Sequence, residues 1–395
     1  MRLSGAWLSR APTQAVLAAI SAQGHRALLV GGCVRNALMG LTVGDIDIAT
    51  DALPDQVQAL AQRAGLRAVP TGIAHGTITV VADGIGHEVT TFRHDLHGDG
   101  RHAIVSFQAS LGEDAARRDF TMNALYANAQ GDVIDPLGLG LADLAARRLR
   151  FVGDAHARIC EDYLRILRFF RFYAQYGNPD VGPDPEALAA CAAHCEGLSQ
   201  LSRERIGAEM RKLLAAPNPA PALGAMAATG VLARVLPGAD PAALAVLVHF
   251  EAAMALPTPA NWLRRLAVLG GQDPQTALRL SRAESRDLAN MVAAIGVPDG
   301  PAVLAYRLGL VGAGDVLALR AAIFEQPPDP AWREALAQGA AARFPVSSSD
   351  LMPGLQGPAL GARLRMLEDR WIGSGFVLER ADLLALPDLS ESDLS

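Results

Sequence analysis

The chain has 395 residues, a formal net charge of −6 and an aromatic content of 5%. Its length and apolar content allow about two to four domains with filled cores, and its abundant alanine and leucine favour helices over strands for most of the chain. The negative charge excludes a uniformly basic surface for nucleic acid, so any RNA contact has to come from a local basic patch.

The first informative feature in chain order is a glycine pair directly after an apolar strand. Residues 27–30 read as a strand, Gly31 and Gly32 follow, and residues 34–39 read as a helix. Glycine lets the backbone approach a phosphate closely, and a helix that begins there aims its N-terminal amides at the anion. The segment therefore predicts a phosphate site.

Two carboxylates lie on the next predicted strand, residues 45–49. Asp45 and Asp47 are alternate residues, so they share one face of the strand and can hold a divalent metal while Ile46 and Ile48 face the core. Two other interpretations fit the same pair, namely an acidic surface strand and the Asp-x-Asp metal site of sugar-nucleotide glycosyltransferases. The pair alone does not separate them.

Further strands are predicted at residues 77–81, 88–92 and 132–134, which together with the first two indicate a small α/β head. Glu88 opens the second of these strands. If that strand lies beside Asp45 and Asp47, Glu88 is the third acid that a two-metal nucleotidyl transfer uses. The alternative is a solvated acid at a strand edge.

The polar segment 93–114 is predicted to be a mobile loop, because it is too long and too mixed for a simple hairpin connection. Its side chains imitate a metal cluster, and the first two also imitate the HD pair of phosphohydrolases. We expect loop residues and not ligands at these positions, which are His94, Asp95, His97, Asp99 and His102.

The segment RRDFTMNAL, residues 117–125, places two arginines before an acid and a helical pattern. Arg118 beside a triphosphate can neutralise the charge that develops as pyrophosphate leaves, and Asp119 can accept a hydrogen bond from a ribose hydroxyl. The alternative is an aspartate that caps a helix between solvated charges.

The most distinctive predicted helix, residues 157–176, contains EDYLRILRFFRF. Asp162 and Arg165 are three residues apart and therefore neighbours on a helix surface. Such a pair can hydrogen-bond the Watson–Crick edge of a base and replace a nucleic-acid template. Arg168 and Arg171 continue the same side of the helix. An ordinary salt bridge on an exposed helix is the alternative.

The rest of the chain is predicted to be helical, with two proline-rich stretches as boundaries. The predicted helices are 142–149, 187–195 and 203–214, and the proline-rich stretches are 217–221 and 327–330.

The four cysteines include no Cys-x-x-Cys pair, which indicates neither a zinc site nor a disulfide framework and predicts reduced thiols in the cytoplasm. The apolar run 15–20 is too short to cross a membrane, and no targeting signal follows it. Lys212 is the only lysine, and all other basic residues are arginines. Arginine suits bidentate contacts to phosphate, although genomic composition explains the bias equally well.

Five motifs, in their order along about half of the chain, resemble the class II tRNA nucleotidyltransferase and poly(A) polymerase family. They are GGCVRNALMG with DIDIATD, then EVTTFR, RRDFTMNAL, EDYLRILRFFRF and LSRERIGAEMRKLL. The later segment DLMPGLQGPALGARLRMLEDRW resembles the tail of the same family less specifically.

This resemblance implies an α+β chain in four parts. A nucleotidyltransferase head with a mixed sheet would occupy residues 1–140. A helical neck that reads the base would follow at 141–216, then a helical body at 217–326 and a helical tail that binds tRNA at 327–395.

The resemblance also implies roles for the motif residues. Asp45 and Asp47 would bind Mg²⁺, with Glu88 as the third acid. The nucleotide would be held by phosphate, ribose and base contacts, with Asp162 and Arg165 reading the base. The nucleotide-binding residues would be Gly32, Arg35, Arg118, Asp119, Asp162, Arg165, Arg168 and Arg171.

The implied activity is addition of nucleotides to an RNA 3′ end without a nucleic-acid template. The polar segment before Arg117 is nearly as long as the loop of complete CCA-adding members, which favours CCA addition to tRNA from CTP and ATP. Poly(A), A-only or CC-only addition is the alternative within the family. A non-catalytic RNA-binding module and a glycosyltransferase explain fewer of the motifs. No membrane or protein partner is expected.

One residue departs from the family pattern. Asn36 stands where the family usually has aspartate after Val-Arg. We expect a modest effect, because an amide still caps or hydrogen-bonds there.

Overall fold

The computed structural model describes residues 1–97, 104–107, 109–258 and 260–387, and for residues 95–97 and 104–105 it describes the backbone only. The chain divides into two compact units, Met1–Pro241 with Gly271–Leu280 and Ala242–Gly270 with Ser281–Ser395. The α+β class is confirmed. The finer division at 140, 216 and 326 stays a prediction.

All strands that the structure describes lie in the first unit. They are β1 (Ala27–Val30), β2 (Asp47–Thr50), β3 (Arg67–Gly72), β4 (Thr77–Ala82), β5 (Ile85–Thr91), β6 (Arg93–His97), β7 (Ile104–Phe107), β8 (Tyr126–Ala127) and β9 (Val133–Ile134).

Seven of these strands form one mixed sheet in the order β3-β4-β5-β2-β1-β8-β9. β2 and β5 pair in parallel, while the other neighbouring pairs of the sheet are antiparallel. The parallel register sets Asp47 opposite Glu88. The chain reaches this register by crossing from β2 through a helix and two further strands, so the pairing joins distant parts of the sequence.

The five predicted strands are all present, with ends shifted by up to three residues, whereas β3 and β8 were not predicted. The prediction of a loop throughout residues 93–114 is wrong. β6 and β7 pair there as an antiparallel ribbon, with Arg93 opposite Phe107, because backbone pairing compensates for the weak alternation of these residues. The side chains of Asp95 and His97, and the whole of Asp99 and His102, lie outside the described residues.

The first unit also contains helices that surround the sheet and extend the chain beyond it. They are α1 (Ala6–Ser9), α2 (Ala11–Ser21), α3 (Gly32–Leu38), α4 (Pro54–Arg63), α5 (Leu111–Ala116), α6 (Gly140–Ala145), α7 (Ala155–Glu161), α8 (Leu164–Tyr176), α9 (Pro185–Ala193), α10 (Arg203–Leu214), α11 (Ala220–Ala228) and α12 (Val231–Val235).

The helix predicted at residues 157–176 is in fact two helices, α7 and α8, so the prediction of one continuous helix is wrong. Asp162 lies between them with an extended backbone, φ −154° and ψ 106°. Its side chain accepts a hydrogen bond from the backbone N–H of Leu164 at 3.0 Å and thereby satisfies a free donor at the start of α8. Aspartate competes with helical hydrogen bonding in this way.

The apolar side of α8 is aromatic and is buried in the first unit. The ring of Phe169 stacks on Phe151 with centroids 5.7 Å apart, and Phe120 lies 5.0 Å from Phe151. Phe151 and Phe120 belong to the preceding segments, whereas on α8 buried residues recur at intervals of three and four, as Ile166, Phe169 and Phe170 do, and form one side of the helix. The packing fixes the direction in which the arginines of α8 project.

The later helices, apart from one, belong to the second unit. In chain order they are α13 (Leu244–Ala253), α14 (Trp262–Leu269), α15 (Pro274–Ala277), α16 (Arg282–Ile295), α17 (Pro301–Phe324), α18 (Trp332–Ala341), α19 (Ser348–Leu351), α20 (Gly357–Gly373) and α21 (Arg380–Leu384). The exception is α15, which belongs to the first unit.

A buried ionic cluster lies in the core of the second unit. Glu251 of α13 accepts hydrogen bonds from Arg264 Nε at 2.9 Å and Arg265 Nη2 at 2.7 Å, and Asp315 of α17 also pairs with Arg264. The two arginines are 0% and 2% exposed. Because buried charges are tolerated only when they are paired, this cluster constrains how α13, α14 and α17 pack.

One helix in the described part of the chain, α17, is long and apolar enough to cross a membrane by length and composition alone. Half of its most apolar window is buried, and Gly309 interrupts it with φ 73°. It packs against α13, α14, α16 and α18, as a core helix does. It is therefore weak evidence for a membrane span.

Candidate active site

A cavity of about 910 Å³ in the first unit brings together the acids predicted from β2 and β5. Asp45, Asp47 and Glu88 all line it. β2 begins at Asp47, so Asp45 lies in the preceding bend and not on the predicted strand, yet both side chains reach the same cavity. Ile48 is fully buried, as the alternation predicts.

The charge of Asp47 is costly in this position. Its pKa is raised, first by burial and then by the neighbouring charges of Glu88 and Asp45, which outweigh the opposing charge of Arg118. A divalent cation would relieve this repulsion. Within the described residues, no three His, Cys, Asp or Glu side chains converge closely enough to hold an ion by themselves. The carboxylates therefore suit an ion that takes its other ligands from phosphate oxygens and water, as Mg²⁺ does.

The glycine pair turns the chain from β1 into α3. Gly31 has φ 71°, a conformation that disfavours other residues, and α3 begins at Gly32. Arg35, on the first turns of α3, is buried against the ring of Tyr176, with its Cζ 4.0 Å from the ring centroid. Its guanidinium donates to Tyr176 Oη at 2.8 Å and to Asn123 Oδ1 at 2.6 Å.

Asn36 takes part in holding this arginine. Its Oδ1 accepts hydrogen bonds from Arg35 Nε at 3.1 Å and Nη2 at 2.8 Å, and its Nδ2 donates to the carbonyl of Thr42 at 3.0 Å. The amide thus hydrogen-bonds at this position, as expected, and it orients Arg35; the expected modest effect of the departure stays a prediction. The hydrogen-bond partners of Arg35 named above include no carboxylate, although the negative charge of Asp119 acts on its guanidinium.

Arg118 and Asp119 both line the cavity and are both engaged with other protein groups. Arg118 donates to Asp114 Oδ2 at 3.1 Å and to Tyr126 Oη at 3.0 Å. Asp119 accepts hydrogen bonds from Asn123 Nδ2 and from the N–H of the next residue, both at 2.9 Å. Asp114 is 1% exposed, and it orients Arg118 although the sequence analysis assigned it no role.

Two arginines of α8 line the same cavity, although they lie far along the chain from the acids of β2 and β5. Arg168 Nε donates to Asp119 Oδ2 at 2.9 Å, and Arg171 Nε donates to Glu209 Oε2 of α10 at 2.6 Å. Although burial opposes ionisation of Asp119, the charge of Arg168 and the hydrogen bonds keep its pKa below the ordinary value. Both arginines are thus held by carboxylates.

The predicted base-reading residues Asp162 and Arg165 do not line this cavity. The backbone N–H of Arg165 donates to the carbonyl of Asp162 at 3.0 Å, but their side chains pair with other groups and not with each other. Arg205 Nη2 of α10 donates to Asp162 Oδ2 at 2.7 Å. Arg165 pairs with Glu161 and donates to the carbonyl of Arg158 at 2.7 Å. The interruption between α7 and α8 removes the helical spacing on which the predicted pair depended.

Lys212 is a cavity residue to which the sequence analysis gave no role. It lies on α10, one turn beyond Glu209, in the segment LSRERIGAEMRKLL. The sequence feature that could have pointed to Lys212 is that it is the single lysine in a chain whose other basic residues are arginines.

Two family models match parts of the chain. One is described as the poly A polymerase head domain and matches residues 27–150, and the other, described as a probable RNA and SrmB- binding site of polymerase A, matches residues 181–243. The first match contains the glycine pair and all three acids of the cavity.

Individual proteins match over most of their length. The CCA-adding enzyme of Geobacillus thermodenitrificans is 38% identical over 322 residues, which cover 80% of this chain and 70% of that protein. The mitochondrial CCA tRNA nucleotidyltransferase 1 of Mus musculus is 33% identical over 391 residues, covering 92% and 86%. The crystal structure of the Bacillus stearothermophilus CCA-adding enzyme in complex with CTP matches with a TM-score of 0.73 and 31% identity, over 92% of this chain and 93% of that one.

Proposed function

Because the chain belongs to the family of tRNA nucleotidyltransferases and poly(A) polymerases, we propose that it adds CCA to the 3′ end of tRNA from CTP and ATP without a nucleic-acid template. The observation that carries this proposal is the single cavity in which acids of the sheet face arginines of α8. The names of the relatives favour CCA addition over poly(A) addition.

Asp45 and Asp47 would hold Mg²⁺, and Glu88, opposite Asp47 in the sheet, would be the third acid. Mg²⁺ bound there supplies activation of the RNA 3′-hydroxyl and compensation of the charge on departing pyrophosphate. The fit rests on the raised pKa of Asp47, whose charge a cation would stabilise. The protein itself mainly positions charge around the α-phosphate.

The nucleotide would be held by groups that the structure keeps oriented. Gly32 and Arg35 would contact it beside α3, and Arg118 would face the triphosphate. Asp119 would face the ribose and also position Arg168, with which it already pairs. Arg171 would support the phosphates or the base-reading residues. These assignments rest on the shared cavity and, for Gly32, Arg35, Arg118 and Asp119, also on their place within the residues that the head-domain model matches.

Asp162 and Arg165 would read the base. Their separate partners, Arg205 and Glu161, hold them at the start of α8, and either residue would have to reach the base from that position. The role rests on the family motif and on the donor and acceptor groups of the two side chains. Variants of Asp162 test this role directly.

A single extension assay tests the activity. The protein and Mg²⁺ are incubated with tRNA transcripts that end at each stage of CCA, with labelled CTP and ATP given separately and together. Growth that stops at CCA is the expected result. Long A tails would indicate a poly(A) polymerase, and growth by C alone or A alone would indicate a partial adding enzyme. Intact tRNA binding without incorporation would refute an enzyme.

We also propose a cytoplasmic location. Its support is the state of the cysteines, all four of which are free thiols in the structure. A reducing compartment keeps thiols in this state. Fractionation of cells that express the tagged protein would test it, and recovery with membranes or in an oxidising compartment would refute it.

A further inference from the structure

We propose that Lys212 is a nucleotide-binding residue whose ammonium group contacts the triphosphate of the incoming CTP or ATP. The inference rests on the proposed function, since it assumes that nucleoside triphosphates bind in the cavity that Lys212 lines. It adds a cation from α10 to a site otherwise built from the sheet, α3, α8 and the segment that carries Arg118 and Asp119.

The sequence singles out this position. The chain has 35 lysines and arginines together, and Lys212 is the only lysine. Whatever bias favours arginine elsewhere, this position does not follow it. Lysine differs from arginine in carrying a compact charge with three rotatable donors instead of a planar fork, which suits a phosphate approached as a point charge. The exception lies inside the candidate active site.

The structure shows that Lys212 is uncommitted. Three of the other cations that line the cavity, Arg118, Arg168 and Arg171, are paired with carboxylates. Arg35 is held by amides and a tyrosine. Lys212 is exposed, and within the described part of the chain it makes no hydrogen bond or ion pair. A phosphate can therefore recruit its charge without breaking an existing pair.

Charge balance favours the triphosphate as the ligand. Arg168 and Arg171 each have a carboxylate partner, and Arg118 shares Asp114 with Arg117. Beside Arg118, Arg35 and bound metal ions, Lys212 would therefore supply a positive charge that no protein carboxylate already holds. Glu209, one turn before Lys212, is occupied by Arg171 of α8. This pair holds α10 against α8 and keeps Lys212 at the cavity. An RNA phosphodiester would present the same chemistry, and the experiment distinguishes the two sources.

The single lysine permits a direct chemical test. An acetylating ester should modify only two amines, the ε-amine of Lys212 and the α-amine of the first residue. Peptide mass spectrometry then reports both in one sample. CTP, ATP and inorganic pyrophosphate, each with Ca²⁺ in place of Mg²⁺, should slow acetylation of Lys212 by about tenfold and leave the α-amine unaffected. A tRNA lacking CCA, added alone, should not protect Lys212.

Variants provide the second arm. Lys212→Gln should weaken binding of CTP and of inorganic pyrophosphate by about tenfold, as expected for one lost contact to a charged group, and leave binding of tRNA without CCA unchanged. Lys212→Arg, which keeps the charge, should stay closer to wild type. Arg203→Gln is the matched control, because it removes one exposed charge from the same helix outside the cavity.

The outcomes separate this inference from the proposed function. Wild-type affinity for CTP in Lys212→Gln, or protection by tRNA and not by pyrophosphate, would overturn the role of Lys212 and leave nucleotidyl transfer standing. A wild-type protein that binds neither CTP nor pyrophosphate would overturn both. If Arg203→Gln lost as much affinity for CTP as Lys212→Gln, the loss would reflect the net charge of the protein and not a contact of Lys212. That result would also overturn the inference.

Discussion

Replacing Asp162 by alanine is expected to change the choice between CTP and ATP more than it changes triphosphate binding. The variant removes the carboxylate between α7 and α8, with its hydrogen bonds to Arg205 Nη2 at 2.7 Å and to the N–H of Leu164 at 3.0 Å. Asp162 does not line the cavity that contains the acids, so the metal and triphosphate contacts should survive.

The magnitude follows from these two contacts. The side chains of Arg205 and Asp162 are 26% and 19% exposed, so their ion pair contributes about 1 kcal/mol. The contact at the start of α8 resembles a helix cap and contributes about 1 kcal/mol or less. The free energy of unfolding should thus fall by about 1–2 kcal/mol and leave the protein folded. Loss of one hydrogen bond to the base should reduce the CTP-to-ATP preference by about tenfold.

The assay compares single-turnover incorporation of CTP and ATP on tRNA lacking CCA, with urea unfolding measured in parallel. Arg205→Ala is the matched control, because it breaks the same ion pair and keeps the carboxylate. It should lose similar stability and retain more of the nucleotide preference. Wild-type preference in Asp162→Ala, or an equal loss in Arg205→Ala, would refute base reading by Asp162.

Three further predictions concern the metal site, the departure from the family pattern and the second unit. Asp47→Asn should abolish incorporation and leave the circular dichroism spectrum unchanged. In the wild type, the raised pKa of Asp47 means that activation by Mg²⁺ should fail as the pH falls through that pKa, and excess Mg²⁺ should move this loss of activity to lower pH. A pH profile that does not shift with Mg²⁺ concentration would contradict this. Asn36→Asp should place a carboxylate on Arg35 and change KM for CTP by about threefold or less, since the orienting hydrogen bonds remain; loss of turnover would show that a neutral amide is required beside Arg35. Glu251→Ala should lower the free energy of unfolding by about 3–5 kcal/mol, because it leaves Arg264 and its neighbour buried with one acid fewer; a midpoint in urea close to wild type would show that water reaches the cluster.

The local motifs were readable in advance because each depends on neighbouring residues. The strand before Gly31, the alternation around Asp47 and the helix α10, predicted with both ends correct, follow from periodicity and glycine chemistry alone. The family resemblance then related these motifs to one activity, and the relatives bear that activity out.

Contacts between distant residues were not readable. The parallel register that sets Glu88 opposite Asp47 depends on a crossover through β3 and β4. The pairing of Asp162 with Arg205 joins residues 43 apart in sequence and replaces the predicted pairing with Arg165. The spacing of residues along the chain does not predict such contacts, because each partner could equally well face solvent or pair with a residue close to it in sequence.

The sequence by itself determined which chemical groups this protein has available: a glycine turn, alternate acids, a ribbon of arginines and one lysine. The tertiary structure decided which of those charges are already paired. Carboxylates distant in sequence pair with Arg168 and Arg171, and Asp114 pairs with Arg118 from four residues away, whereas Lys212 makes no such pair with the described residues. The physical reason is that a charge is committed by its neighbours in space, and for Arg168 and Arg171 those neighbours come from elements that only folding brings together.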